Sequence, residues 1–410
     1  MIRVLTIPEL LRLATRDRAR DPRVRRDAAR IVSDVRRRGD RALREWTRRL
    51  DGDRGPLEVT TKELHAGWAA TAPAVRAAIR LAASNIRRVA DRQRPRPFVV
   101  TPMPGVRIEH RVEPLARVGC YVPGGRYPLP STLLMTVIPA VVAGVPDVVV
   151  CCPRPPGVLL AAALEAGATR VFRIGGAQAI AALAYGTAAV PRVDKIAGPG
   201  NAWVAAAKQL VSPDCAIDLH AGPSEIVVWS DRGRPDWIAA DLIAQAEHDP
   251  AARAIFITTR RSLAERVQEE VRAQLPATGP ARASLGRNGG ITIAPTRLAA
   301  LALVRALAPE HLVCDSAADA RGCGAAGTIF VGPWSAQASG DYATGSNHVL
   351  PTGGAARVRG GLSTADFVRI CTVQTLTRQG IRRIGPAAAT LADAEGLSAH
   401  ALSIRKRLAC

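Results

Sequence analysis

The chain comprises 410 residues, 48% hydrophobic but only 4% aromatic, and carries a formal net charge of +21. At about 100–200 residues per domain this length calls for two or three domains, and an interior made of Ala, Val, Leu and Ile favours helices packed on parallel strands. The eight cysteines include no Cys-x-x-Cys pair and Cys151-Cys152 are adjacent, so neither a zinc knuckle nor a disulfide framework is indicated and a reducing, cytoplasmic setting is expected.

Residues 1–50 hold 16 Arg against 7 acidic residues. Such an excess serves phosphate binding in nucleic-acid proteins. Here the arginines alternate with Asp at helical spacing, as in Asp34-Val-Arg36-Arg37-Arg38-Gly-Asp40, a stretch with no aromatic residues to stack on bases. A solvated helix face is the better reading, and a cationic surface also gathers anionic ligands such as dinucleotides. Arg3, Glu9 and Arg12 interrupt the start of the chain, which therefore does not read as a signal segment.

Residues 24–50 and 73–93 read as helices, ended by Arg94-Pro-Arg-Pro. The long apolar run Leu133 to Cys152 is broken by Pro139, Gly144, Pro146 and Asp147, which suits a buried helix, a turn and a strand better than a membrane span. From about 140 to 230 one phrase recurs: an aliphatic strand, a Gly/Pro turn, an alanine-rich helix. Val148 to Cys152, Val171 to Ile174 and Val193 to Ile196 are its strands, and such alternation demands parallel pairing through right-handed crossovers. A second set follows, with strands at 254–258, 291–293, 312–314 and 328–331 and an amphipathic helix at 262–274. After Pro351, Gly353-Gly354 and Gly360-Gly361 mark a linker into a helical tail. The predicted fold is α/β, with two doubly wound, incomplete Rossmann-like units, N-terminal helices and a small C-terminal helical extension.

In a doubly wound sheet, ligands bind beyond the carboxyl ends of strands, where helix N-termini offer N–H groups to phosphate. Gly175-Gly176-Ala-Gln178 and Gly198-Pro199-Gly200-Asn201 stand at such places. Trp203 occupies the third glycine position of a dinucleotide fingerprint, so spacing alone fits tight turns as well as it fits phosphate loops. Four of the seven histidines lie among other reactive side chains. Gln245 and His248 share a helical face, and Asp341 and His348 share the glycine-rich segment Gly340-Asp-Tyr-Ala-Thr-Gly-Ser-Asn-His348. Two imidazoles, a carboxylate and a neutral oxygen donor suit zinc better than calcium or magnesium. Glu310-His311 precedes the aliphatic run Leu312-Val313-Cys314, putting an acid and a base at a strand mouth, although a polar turn explains that pair alone equally well. Glu395 and His400 read equally as a solvated helix end.

Longer motifs decide among these readings. Gly39-Asp40-Arg-Ala-Leu, Tyr121-Val-Pro-Gly-Gly125, Gly175-Gly-Ala-Gln-Ala-Ile180, Lys195-Ile-Ala-Gly-Pro-Gly-Asn201, Ala221-Gly-Pro-Ser-Glu225, Asp241-Leu-Ile-Ala-Gln-Ala-Glu-His248, Ala308-Pro-Glu-His311, the Gly340 to His348 segment and Glu395-Gly-Leu-Ser-Ala-His400 follow one another along nearly the whole chain. In these the sequence resembles the histidinol dehydrogenase family. The resemblance implies NAD-dependent, zinc-dependent four-electron oxidation of L-histidinol through L-histidinaldehyde to L-histidine, the last steps of histidine biosynthesis.

By that likeness one zinc per subunit is bound by Gln245, His248, Asp341 and His400, the last reaching the partner's site in a homodimer that exchanges C-terminal tails. Tyr121, Gln178 and Asn201 touch NAD. Ser224, His348 and Glu395 hold the substrate, with His311 and the four zinc ligands also around it, while Glu310 and His311 move protons. The implied domains are an N-terminal segment (1–20), an α/β domain with the metal and acid/base residues (21–115 with 230–350), a Rossmann-like NAD domain (116–229) and an exchanged tail (351–410). No nucleic acid or membrane is expected as a partner. His220 puts a titratable ring where the likeness leads one to expect a less polar residue. The competing readings are a dehydrogenase of the same scaffold acting on another small alcohol, a zinc hydrolase in which Glu310 activates water, and a nonenzymatic nucleic-acid binder. The hydrolase lacks its usual His-Glu-x-x-His helix.

Overall fold

Aliphatic runs bounded by turns become parallel strands because both their faces can be covered by helices. A computed structural model describes residues 2–15, 21–125, 127–219 and 222–409. Contacts divide the chain into a larger unit, Met1–Gln93 with Ala116–Phe367, and a smaller one, Arg94–Leu115 with Val368–Cys410.

The larger unit holds two parallel sheets. The first has five strands in the order Arg170–Phe172, Asp147–Cys151, Arg117–Tyr121, Lys195–Ala197, Ala216–Ile217. The winding reverses between Arg117–Tyr121 and Lys195–Ala197, which opens a crevice at the carboxyl ends of those two strands. The second has six strands in the order Arg3–Val4, Gly289–Ile293, Arg253–Thr258, Glu225–Trp229, His311–Cys314, Thr328–Val331, all pairing in parallel. Its reversal lies between Glu225–Trp229 and His311–Cys314. The predicted α/β class with two doubly wound sheets is what the chain forms.

Several boundaries differ from expectation. Residues 24–50 make two helices, Pro22–Arg38 and Asp40–Leu50, because Gly39 takes φ +54 and breaks the hydrogen-bond ladder. These helices pack on the five-stranded sheet, where Ile31, Val35, Leu43 and Trp46 join Phe172 and Ile180 in one core. The expected domains grouped 21–115 with the metal-bearing sheet; an amphipathic pattern reveals an apolar face but not which sheet covers it. Glu225–Trp229 belongs to the six-stranded sheet, so the five-stranded sheet ends before it. The expected N-terminal segment contributes the edge strand Arg3–Val4 and the helix Ile7–Thr15; residues 16–20 and His220 lie outside the described residues.

The smaller unit is an antiparallel sheet of Phe98–Met103, Val106–Pro114 and Val368–Leu376, followed by the helices Arg378–Ala394 and Ser398–Leu408. These two helices are the expected C-terminal helical extension, and they follow the strand Val368–Leu376. Up to Phe367 the chain belongs to the larger unit, with Thr364 and Phe367 fully buried. Among the described residues no helix is long and apolar enough to cross a membrane.

Candidate active site

The six-stranded sheet bears its reactive residues at the amino ends of its strands, opposite to where α/β sheets usually bind ligands. Its carboxyl crevice is filled by the protein itself: Asp315 accepts from the Ser230 hydroxyl and the Asp231 and Arg232 amides, and Asp231 accepts from Thr258 and Thr259.

At the amino ends, Glu310 and His311 stand where the chain enters the strand His311–Cys314. The neighbouring strand holds both through its first residue. The Glu225 N–H donates to Glu310 Oε2 at 2.8 Å, and the Glu225 carbonyl lies 3.3 Å from His311 Nδ1. Glu225 is fixed in turn, its carboxylate accepting from the Gly353 N–H at 2.9 Å and from Arg253 at 3.3 Å. Both Glu310 and His311 are 4% exposed. Burial pushes the Glu310 carboxyl up to about 7. Burial by itself would lower the His311 imidazole, but the Glu310 and Asp341 carboxylates, with the Glu225 carbonyl, outweigh it and hold His311 above its usual value.

Across from His311 lies Asp341, on the short helix Gln337–Tyr342. Its Oδ1 is 3.6 Å from His311 Nε2 and 3.9 Å from His348 Nδ1, and its Oδ2 is 3.9 Å from His248 Nε2. Burial opposes ionisation of Asp341, yet His311 and the other imidazoles hold its carboxyl below the usual range. Gln337, one turn earlier, donates to Asp341 Oδ2 at 2.7 Å. His348 is turned by Thr132 Oγ1, 3.0 Å from its Nε2, and by the Asp341 carbonyl, 3.0 Å from its Nδ1; burial lowers its imidazole. Gln245 ends the helix Pro235–Ala246, fully buried, and neither Oε1 nor Nε2 of its amide has a hydrogen-bond partner. A buried amide without partners is costly, and an ion or ligand is one way to satisfy it.

The expected metal set is only partly assembled. Among the described residues, no group of three or more His, Cys, Asp or Glu is arranged to hold an ion. Gln245, His248 and Asp341 belong to the larger unit, whereas His400 lies exposed on the helix Ser398–Leu408 and Glu395 exposed at the end of Arg378–Ala394, both in the smaller one. Ser224 directly precedes the strand Glu225–Trp229, half-buried, and its carbonyl accepts from the Arg253 N–H at 2.9 Å.

The other expected residues meet at the crevice of the five-stranded sheet. Tyr121 ends the strand Arg117–Tyr121, and its buried hydroxyl accepts from the Gly176 N–H at 3.1 Å. Gln178 lies in the first turn of Gly176–Tyr185, and Asn201 caps Ala202–Val211 by accepting from the Trp203 and Val204 amides at 3.1 Å. The Gly175 amide is taken by Asp51 and the Gly198 amide by Asp218, so the N–H groups offered as phosphate cradles already have protein partners. Gly198 needs to be glycine: φ is +115, and a Cβ would lie 2.1 Å from the Tyr121 carbonyl oxygen. Buried Lys208 pairs with Asp218 and donates to the Gly198 carbonyl at 2.9 Å.

Sequence reasoning passed over Gln337, Thr132, Asp51 and the Lys208–Asp218 pair, and gave Glu225 no role. Two of these left a trace. Gln337 and Asp341 are four apart on one helix, and Glu225 is an acid opening an otherwise apolar strand.

A buried carboxyl–imidazole pair facing a carboxylate ringed by imidazoles, on parallel α/β sheets, defines an enzyme that moves protons. The sequence pattern of the histidinol dehydrogenase family matches residues 14–408. The histidinol dehydrogenase of Deinococcus radiodurans is 48% identical over 396 residues, covering 92% of this chain and 89% of its own. That of Methanothermobacter thermautotrophicus is 45% identical over 392 residues, 92% of each. The crystal structure of histidinol dehydrogenase from Elizabethkingia anophelis superposes with a TM-score of 0.92 at 33% identity, covering 99% of this chain and 98% of that one. The chain belongs to the histidinol dehydrogenase family and is an oxidoreductase.

Proposed function

We propose that this enzyme oxidises L-histidinol to L-histidinaldehyde and then to L-histidine, using NAD and zinc, in the last steps of histidine biosynthesis. The observation that carries the reading is the pair Glu310 and His311, both held by the backbone of Glu225 and facing Asp341. Two unlike proton carriers at one point suit two successive oxidations.

In the first oxidation His311 Nε2, which has no hydrogen-bond partner, takes the hydroxyl proton of the alcohol. In the second, Glu310 takes a proton from water as it adds to the aldehyde, and its value of about 7 leaves a large ionised fraction near neutrality. Tyr121, Gln178 and Asn201 would hold NAD, which would supply the hydride acceptor for each oxidation.

The donor set fits zinc. The amide of Gln245 is buried without a partner, His248 Nε2 and Asp341 Oδ2 lie 3.9 Å apart, and nitrogen with oxygen donors suits this ion. One zinc per subunit, with His400 contributed by the other chain of a homodimer, would anchor the substrate's imidazole and amino nitrogens and so orient its carbinol. Ser224, His348 and Glu395 are the proposed further contacts to the substrate, and a cytoplasmic setting goes with this pathway. The test is turnover of L-histidinol beside a panel of small diols, followed by NADH absorbance. Two NADH per histidinol and little reaction with the diols are expected; no NADH from histidinol rejects the proposal.

A further inference from the structure

The turn at Gly175-Gly176 is gripped by a carboxylate that the reaction does not use. Asp51 ends the helix Asp40–Leu50, and one of its oxygens, Oδ2, accepts from both the Gly175 N–H at 3.1 Å and Gln178 Nε2 at 3.0 Å. Tyr121 takes the next amide, that of Gly176. Gln178 is wholly buried, and its Oε1 has no partner.

An amide side chain can turn over, exchanging oxygen for nitrogen, and its surroundings decide which way it sits. With Oε1 toward Asp51, two acceptors would face each other. The nitrogen is therefore bound to the carboxylate, and the oxygen points beneath Gly176, where a Cβ would come within 2.6 Å of it. We infer that Asp51 is a positioning residue of the dinucleotide site, holding Gln178 so that Oε1 is presented as an acceptor. An acceptor selects a hydroxyl or N–H of the cofactor, such as a ribose hydroxyl, and rejects a phosphate oxygen. This rests on the reading that Gln178 touches NAD.

The test is steady-state kinetics of the full-length enzyme with NAD and histidinol varied separately. Asp51→Ala raises the KM for NAD by about tenfold, the scale of one hydrogen bond lost to a binding group, and shifts the KM for histidinol by less than about twofold. Asp51→Asn retains an oxygen where both donors need it and returns the KM for NAD to within about threefold of the parent. Combined with Gln178→Ala, Asp51→Ala adds nothing further, because the two act as one unit. An unchanged KM for NAD in Asp51→Ala, equal losses for both substrates, or additive effects overturn the assignment. Should Asp51→Ala not fold, Gln178→Glu replaces it: two facing carboxylates raise the KM for NAD, and adding Asp51→Asn restores it by supplying a donor. Failure of that restoration likewise overturns the assignment. A parent enzyme that reduces no NAD would refute the cofactor reading and the inference with it, whereas an active parent with indifferent variants refutes the inference alone.

Discussion

Glu310 acquires its chemistry from where it stands on the sheet. The strand His311–Cys314 is interior, so its amino end is dry, and a carboxyl there resists ionisation. Its folded pKa of about 7 lies above that of an ordinary carboxyl, so it holds its proton below about pH 7 and releases it above. A base must be unprotonated. Oxidation of the aldehyde should therefore weaken as the pH falls through about 7, and Glu310→Gln should remove that limb while lowering the rate by roughly 10²–10⁴. The measurement is the pH profile of kcat with histidinaldehyde as substrate. A variant that keeps both the parent's rate and its low-pH limb assigns the proton transfer to another group. Linkage follows the same direction: a raised carboxyl pKa stabilises the fold least when the group is charged, so Glu310 weakens the protein as pH rises through about 7.

At the scale of elements, the turn after Lys195–Ala197 shows how a close backbone approach builds the crevice. Gly198 runs under Tyr121, its amide held by Asp218 and its carbonyl by Lys208. Gly198→Ala should cost roughly 1–3 kcal/mol from backbone strain alone. The clash with the Tyr121 carbonyl should displace Tyr121 and raise the KM for NAD as well. Denaturant midpoints together with cofactor kinetics check this; a variant as stable as the parent, with the same KM, would mean that the turn relaxes freely. The helix Pro235–Ala246 teaches a different lesson. Helical spacing in the sequence puts Gln245 and His248 on one face, whereas the helix ends at Ala246, before His248, and the partnerless state of the Gln245 amide is visible only when the packing around it is known.

For the whole molecule, the division of the proposed zinc ligands between two units has a consequence. If His400 serves the other chain's site, then His400→Ala should lower zinc content, and mixing it with a Gln245→Ala enzyme should regain roughly a quarter of the activity through hybrid dimers bearing one intact site, the share expected for random reassortment of symmetric subunits. Zinc analysis and activity of the remixed variants are the measurements. Complete lack of regain would mean that each site is built from one chain.

What could be read from the chain alone was whatever depends on neighbours in sequence. Aliphatic runs between Gly and Pro turns predicted parallel strands, and the long motifs from Tyr121 to His400 named the family and its candidate residues. Tertiary structure decided what depends on meetings across many residues. It assigned Pro22–Arg38 and Asp40–Leu50 to the five-stranded sheet, paired Val106–Pro114 with Val368–Leu376, a strand more than 250 residues later, turned the reactive edge of the six-stranded sheet to its amino ends, and joined Asp51 to Gln178. Periodicity encodes that a face must be buried. It carries no information about which distant face buries it, because the hydrophobic effect rewards the removal of apolar area from water whatever surface does the covering.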